Sequence, residues 1–370
     1  MRRGWCPTVF APMPSGDGLL VRVRPPGGRL QPAQARALAH AAARYGNGVI
    51  ELTSRGNLQL RGLSPAGTEP FAAAMIAAGL ALADPVLERL RAVALAPLSD
   101  AATRRVAADL DGLLADPTLA GLPPKFGFAV GLPWIGADVC LHPVGAGWRV
   151  WPDGATRAAE SDEPAADALR LARAFLAVAP AARRLRQADA RAVFAAAGLC
   201  ATAAVPAPPR PCVIGPLPGG FGVGLAFGTT DAATLAALAA CGPLHVSPWR
   251  ALVIAMSRPP SSAILALFAR HGLIVDPADP RPGVAACAGR PACAAAEADV
   301  RADAIRLAQL YPAVKLHVSG CTKGCAHPHP AAVTLVAGAD GYALVRHGTA
   351  ADPPLHTGLT FAEAAAMIAP

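Results

Sequence analysis

The chain has 370 residues, 53% of them hydrophobic, enough for a sizeable core and roughly two to three domains, which excludes wholesale disorder. Basic residues outnumber acidic ones 33 to 25, a net charge of +8 that suits an anionic ligand. No apolar run reaches the ~18 to 20 residues of a membrane span, no run of five basic residues occurs, and aromatics are only 5%, so neither a membrane nor a nucleic-acid partner is expected.

The first residues, Met1-Arg2-Arg3-Gly4-Trp5-Cys6-Pro7, carry charge but no apolar core of a leader, so a cytoplasmic location is expected. Leu19 to Arg24 alternates apolar and basic residues, as a half-buried strand does. Gln31 to Tyr45 reads as a helix, with Pro32 in its first turn and Gly46-Asn47-Gly48 past its end. Val49 to Thr53 and Leu58 to Arg61 are strands around the turn Ser54-Arg55-Gly56-Asn57, completing a β-α-β-β unit, half of a ferredoxin-like arrangement. Helices are predicted from Glu69 to Gly79 with Thr68 as cap, from Ser99 through Leu114, from Glu163 to Val178 and from Ala182 to Ala197.

Val205 to Gly220 holds six prolines and reads as a linker. Beyond it the first pattern recurs: a strand from Phe221 to Phe227, a helix from Asp231 to Cys241, then strands Leu244 to Val246 and Ala251 to Ala255. Aligning Ile50-Glu51-Leu52-Thr53 with Leu244-His245-Val246-Ser247 sets Leu58 on Leu252 and Leu60 on Ile254, which points to an internal duplication. Further helices are expected over Ser261 to His271 and Ala294 to Tyr311, and strands over Val314 to Ser319 and Ala332 to Ala337. The fold class is mixed α+β in two pseudo-symmetric halves. Each half is a ferredoxin-like half-domain (1–66 and 219–278) followed by an α/β domain (67–204 and 279–370), with the linker at 205–218 between the halves.

Nine cysteines follow no export signal, so they are expected free, buried or bound to metal. Four cluster: Cys287 and Cys293 with five residues between them, then Cys321 and Cys325 with three between them. The five-residue gap is wide for a zinc hook, and four cysteines are the usual ligands of a cubane cluster. Spacing favours iron–sulfur over zinc or unligated core cysteines. Gly320 and Gly324 let backbone approach a bulky group, and a helix opening at Ala294 would favour negative charge beside Cys293.

The cysteine spacing, with the second pair inside Ser319-Gly320-Cys321-Thr322-Lys323-Gly324-Cys325-Ala326-His327-Pro328, resembles the cluster signature of the sirohaem sulfite and nitrite reductases. Glu51 to Leu60 resembles that family's strand–turn–strand with an anion-binding arginine, and Leu122-Pro123-Pro124-Lys125-Phe126 its lysine segment. The resemblance implies that Cys287, Cys293, Cys321 and Cys325 hold a 4Fe-4S cluster, that Cys325 bridges to a second iron, and that Lys323 joins the cofactor-binding set. It further implies that Arg55, Arg91 and Lys125 are cations facing the substrate.

This chain departs from the reductases at Gly127, where they carry a second lysine, and at Thr322, Lys323 and His327. With Arg3-Gly4-Trp5-Cys6-Pro7 and Met13-Pro14-Ser15-Gly16-Asp17-Gly18, these departures resemble the precorrin-3B synthase branch. That resemblance implies an O2-dependent monooxygenase of aerobic cobalamin synthesis that hydroxylates precorrin-3A at C-20 with γ-lactone formation, using electrons ultimately from NADH. The iron at Cys325 is left open between sirohaem, a mononuclear iron and iron bound with the substrate, with His142, His317, His327 and His329 as conceivable ligands. A sirohaem-dependent sulfite or nitrite reductase and a non-catalytic iron–sulfur carrier or redox sensor are the alternatives. Gly219 to Gly224 lacks the dinucleotide-binding pattern, so a separate reductase or ferredoxin-like carrier is expected to deliver the electrons.

Overall fold

The computed structural model describes residues 6–133 and 135–368. Arg3, Gly4 and Trp5 of the opening motif lie outside them. Alternation buries Val21 and Val23 of the strand Gly18–Val23 and turns Arg22 to the other face. This strand lies between Met13–Ser15 and Leu58–Leu63, and Val49–Leu52 follows. The second half repeats the order with Gly215–Leu217, Gly220–Gly224, Ala251–Ala255 and Leu244–Val246. Registers coincide: Ile50 opposes Leu60 and Leu52 opposes Leu58, while Leu244 opposes Ile254 and Val246 opposes Leu252. Even the backbone signature is shared, with Gly56 at φ 67° and Arg250 at φ 59° in the aligned turns. The duplication expected from the sequence is present in the fold.

The halves are interlocked. The fifth strand of each sheet comes from the other half: Thr229–Asp231 pairs with Val49–Glu51, and Arg29–Leu30 pairs with Leu244 and His245. The helices Pro32–Tyr45 and Ala232–Ala239 pack together, and one apolar core joins Leu38, Leu58 and Phe71 to Leu235, Leu252 and Phe268. The half-domains drawn at 1–66 and 219–278 therefore share strands and core. Gly215–Leu217, placed in the linker by its prolines, is an edge strand. An edge tolerates Pro216 because one of its sides makes no ladder bonds. The glycines of Gly220–Gly224 answer to packing: a Cβ on Gly222 would stand 1.8 Å from the Val213 carbonyl oxygen.

Two more sheets share one strand plan. Val93–Leu95, Phe128–Val130 and Val139–Val144 run parallel, and Gly147–Pro152 and Arg157–Ser161 return antiparallel. Val284–Ala286, Leu316–Ser319 and Ala331–Gly338 run parallel, with Gly341–Gly348 and His356–Leu359 antiparallel. Several helix ends differ from the sequence reading because aspartates cap them. Asp100 rather than Ser99 caps Ala101–Leu113, Asp189 opens a short helix Ala190–Ala197, and Asp299 opens Val300–Leu310. Thr68 begins its helix without capping it, its hydroxyl donating to the Pro65 carbonyl. No helix among the described residues is long and apolar enough to cross a membrane.

Candidate functional site

The parallel pairing of Val284–Ala286 with Leu316–Ser319 sets both C-terminal ends side by side, and Cys287 and Cys321 lie just beyond them. Cys287 Sγ accepts a hydrogen bond from the Gly320 amide at 3.2 Å. The loops are laced again by Glu297 N–H to the Gly320 carbonyl at 3.0 Å. Only glycine fits at 320, because a Cβ would stand 2.6 Å from that of Ala296. Cys293 closes a turn on the Gly289 carbonyl. The helix expected from Ala294 starts only at Val300, so no helix N-terminus faces Cys293; the intervening residues are pinned by Ala296 N–H to Cys293 and by the Glu297 bond.

Cys325 stands at the surface after Gly324, which holds φ 59°. Desolvation on its protein side, then the charges of Cys321, Cys287 and Cys293, push its thiol above the ordinary value, and Lys323 opposes them. Cys325 thus lies within electrostatic reach of the other three thiols, and the exposed Lys323 offsets negative charge at Cys325. Among the described residues no three His, Cys, Asp or Glu side chains close on one point as a single metal ion requires. Four soft thiols on two adjoining loops, with the Gly320 amide donating to one sulfur, are a donor set that fits a multi-iron cluster.

The first half-domain meets these loops directly. A Cβ on Gly16, at the tip of the first hairpin, would lie 3.7 Å from Cys293 Sγ. Arg301 donates from Nε to the Cys287 carbonyl and from Nη2 to Glu51 at 3.1 Å. His317 is fully buried with neither ring nitrogen partnered, and burial, then His327 and Arg250, push it down to about 4. Its ring lies 5.7 Å from that of His327, which is 6.0 Å from that of His329. His142 lies apart, on Val139–Val144 of the other α/β domain.

Arg55 and Lys125 come together, through main chain on one side. Arg55 Nη1 donates to the Lys125 carbonyl at 2.7 Å, leaving the Lys125 side chain exposed. Burial and then Arg184 lower the Arg55 guanidinium from its usual value. Arg55 borders a small recess with Cys6, Arg24, Asn57 and Gly127. It also borders an open cavity of about 380 Å³ in which Arg210 stacks on Trp249 with 5.4 Å to the ring centre. Gly127 donates its amide to the buried Asp138, and a Cβ there would crowd the Ala92 carbonyl at 3.2 Å.

Arg91 does not join them. The short helix Pro85–Leu90 turns Glu88 and Arg91 inward at i,i+3, and Arg91 is buried with Nη2 on Glu88 at 2.9 Å and on the Leu80 carbonyl at 3.1 Å. Its guanidinium faces a different cavity. The sequence leaves the role of Cys6 open; its Sγ accepts from Arg22 Nη1 at 3.0 Å, and Arg24, which sequence reasoning does not single out, lines the same recess. The signal was available: the two-residue alternation of Leu19 to Arg24 puts Arg22 and Arg24 on one face.

Residues 11–78 match the family model described as the nitrite/sulfite reductase ferredoxin-like half domain. The chain is 35% identical to a precorrin-3B synthase from Sinorhizobium sp, over 95% of this chain and 84% of that protein. It is 34% identical to a ferredoxin–nitrite reductase from Synechococcus elongatus, over 35% of this chain and 27% of that one. The solved structure of the Mycobacterium tuberculosis NirA protein superposes with a TM-score of 0.65 at 19% identity, covering 95% of this chain and 79% of the other, and shares its fold.

Proposed function

The chain belongs to the precorrin-3B synthase family, within the nitrite and sulfite reductase superfamily, and from that premise we propose that it hydroxylates precorrin-3A at C-20, with O2 as oxidant and γ-lactone formation. One observation carries this reading: similarity to a precorrin-3B synthase runs along 95% of the chain, whereas similarity to a nitrite reductase stops at 35%. Gly127 supports it as well, since the backbone packs tightly on the Ala92 carbonyl there and a side chain would require that carbonyl to shift by a few tenths of an ångström.

A 4Fe-4S cluster held by Cys287, Cys293, Cys321 and Cys325 would supply single electrons. Lys323 offsets negative charge at Cys325 and so favours its thiolate. Arg55, Lys125 and the neighbouring Arg22 and Arg24 bind the carboxylates of the tetrapyrrole, and cations in a partly desolvated recess hold carboxylates more tightly than cations in water. Cys6, sharing that recess, faces the bound ring. The electrons arrive from a separate reductase or ferredoxin-like carrier that oxidises NADH; the glycine-rich run of this chain is a sheet strand, not the strand–turn–helix that cradles a dinucleotide.

The test is anaerobic purification of the full chain, with iron and sulfide analysis, an optical spectrum, and turnover of precorrin-3A under isotopically labelled O2. The expected result is labelled oxygen in the product, with efficient turnover from NADH only once a reductase is added. Unlabelled product, or reduction of sulfite or nitrite by a chain showing sirohaem bands, would overturn the proposal. Stoichiometric NADH binding by the isolated chain would overturn the separate-donor part alone.

A further inference from the structure

A cavity of about 430 Å³ lies away from the cysteine loops, between the strand Val93–Leu95, the helix Ala101–Leu113 and the seam where Arg29–Leu30 pairs with Leu244 and His245. Arg24 and Val93 line both this cavity and the recess beside Arg55, so the two are neighbours, but none of Arg55, Lys125 or the four clustered cysteines lines it. Leu87, Leu95 and Leu114 give it apolar walls. Arg29 and Arg104 stand close enough to the buried His245 to add to the effect of burial, which together bring its imidazole down to about 4 and keep it neutral. Asp111 also lines it within electrostatic reach of Arg91, its carboxyl raised by burial.

Three buried polar atoms in the wall have no hydrogen-bond partner: Arg29 Nε, Arg91 Nε and Asp111 Oδ1. Arg91 is only 7% exposed. Folded proteins pair such atoms because an unpaired buried donor or acceptor is costly. The duplicated half provides the contrast. Glu51 holds the register position of His245, and there Arg301 reaches across to pair with it. The open space therefore belongs to this half and not to the strand plan.

We propose that this cavity binds a small amphipathic organic anion. Its acidic head would sit against Arg29 and Arg104, and its apolar body along Leu87, Leu95 and Leu114. The volume is that of a small-molecule pocket, and its mostly apolar wall with a few placed charges is the usual composition of one.

The probes are anilinonaphthalene sulfonate, followed by fluorescence, and decanoate as competitor, with the full chain. The expected result is one saturable dye site per chain, displaced by decanoate. Arg29→Gln and Arg104→Gln should each weaken dye binding about tenfold. Ala108→Trp, at an exposed helix position on the cavity lining, should abolish it while the melting temperature holds. No saturable site, several equivalent sites, or dye binding unchanged in Ala108→Trp would overturn the cavity assignment. Loss in Ala108→Trp with full affinity in both arginine variants would overturn the anionic class.

Discussion

The two α/β sheets have the same strand plan and opposite contents. Beyond Val284–Ala286 and Leu316–Ser319 come Cys287 and Cys321; beyond Val93–Leu95 and Phe128–Val130 come Ala96 and Gly131. The cysteine of the first sheet, Cys140, is buried within a strand, and burial pushes its thiol up to about 12. Cys325 by contrast is exposed beside a lysine. One architecture thus yields a sheet whose strand-end loops gather four thiols and a sheet with, among the described residues, one thiol buried within a strand. Burial raises both Cys140 and Cys325, so it is the grouping of thiols in the loops, not the ionisation of a single one, that separates the two sheets.

The largest effect that can break this comparison is at the cysteines. Cys325→Ser should abolish cluster iron and activity, because a hard hydroxyl replaces a soft thiolate. Cys140→Ala should keep full iron content and cost about 1 kcal/mol of stability. Iron analysis of both variants decides, and equal loss would end the assignment.

Substrate binding comes next. Lys125→Ala should weaken tetrapyrrole affinity about tenfold with an unchanged melting temperature, since its side chain is exposed. Arg55→Ala should weaken affinity similarly and also cost about 1 kcal/mol, because the Lys125 carbonyl loses its donor. Calorimetric titration and thermal melts together separate the two.

A smaller effect sharpens the contrast between Glu51 and His245. Arg301→Ala removes the partly exposed ion pair to Glu51 and the bond to the Cys287 carbonyl, an expected loss of about 1 kcal/mol. Iron should also leave faster under a chelator. An unchanged rate would mean that this contact does not brace the cysteine loop.

The smallest effect is a pH dependence. His245 has a folded value of about 4 against an ordinary 6.5. Between those values the unfolded chain takes up a proton that the folded chain refuses, so stability falls as pH drops from about 6.5 toward 4 and is level above that window. Denaturant melts of the native chain and His245→Gln across this window should differ in slope. Parallel curves would show that His245 is not held neutral by burial.

Much of this arrangement is legible in the residues. The duplicated strands and their register follow from the apolar positions Ile50, Leu52, Leu58 and Leu60 and their counterparts, because period-two burial fixes register. The cysteine loops follow from spacing and flanking glycines. The exchange of Arg29–Leu30 and Thr229–Asp231 is not legible: such short strands carry no periodicity, and their partners are set by tertiary pairing. The late start of the Val300–Leu310 helix is hidden because alanine-rich Ala294 to Ala296 has helical propensity that the loop bonds override. The surroundings of Arg91 are hidden for a similar reason, since its buried partner Glu88 is visible only once the Pro85–Leu90 helix turns both inward.

The strand exchange also bears on how the chain is made. The Val49–Leu52 edge waits for Thr229–Asp231, which leaves the ribosome about 180 residues later. At ~5 to 20 residues per second, that is roughly 10 to 40 s of synthesis with an open, apolar-backed edge. Such an edge is a template for mispairing. The nascent first half is therefore the stage most exposed to aggregation and the one where a holdase would help most. Cutting the gene at the proline-rich segment should give two insoluble fragments that are rescued only when both are produced together.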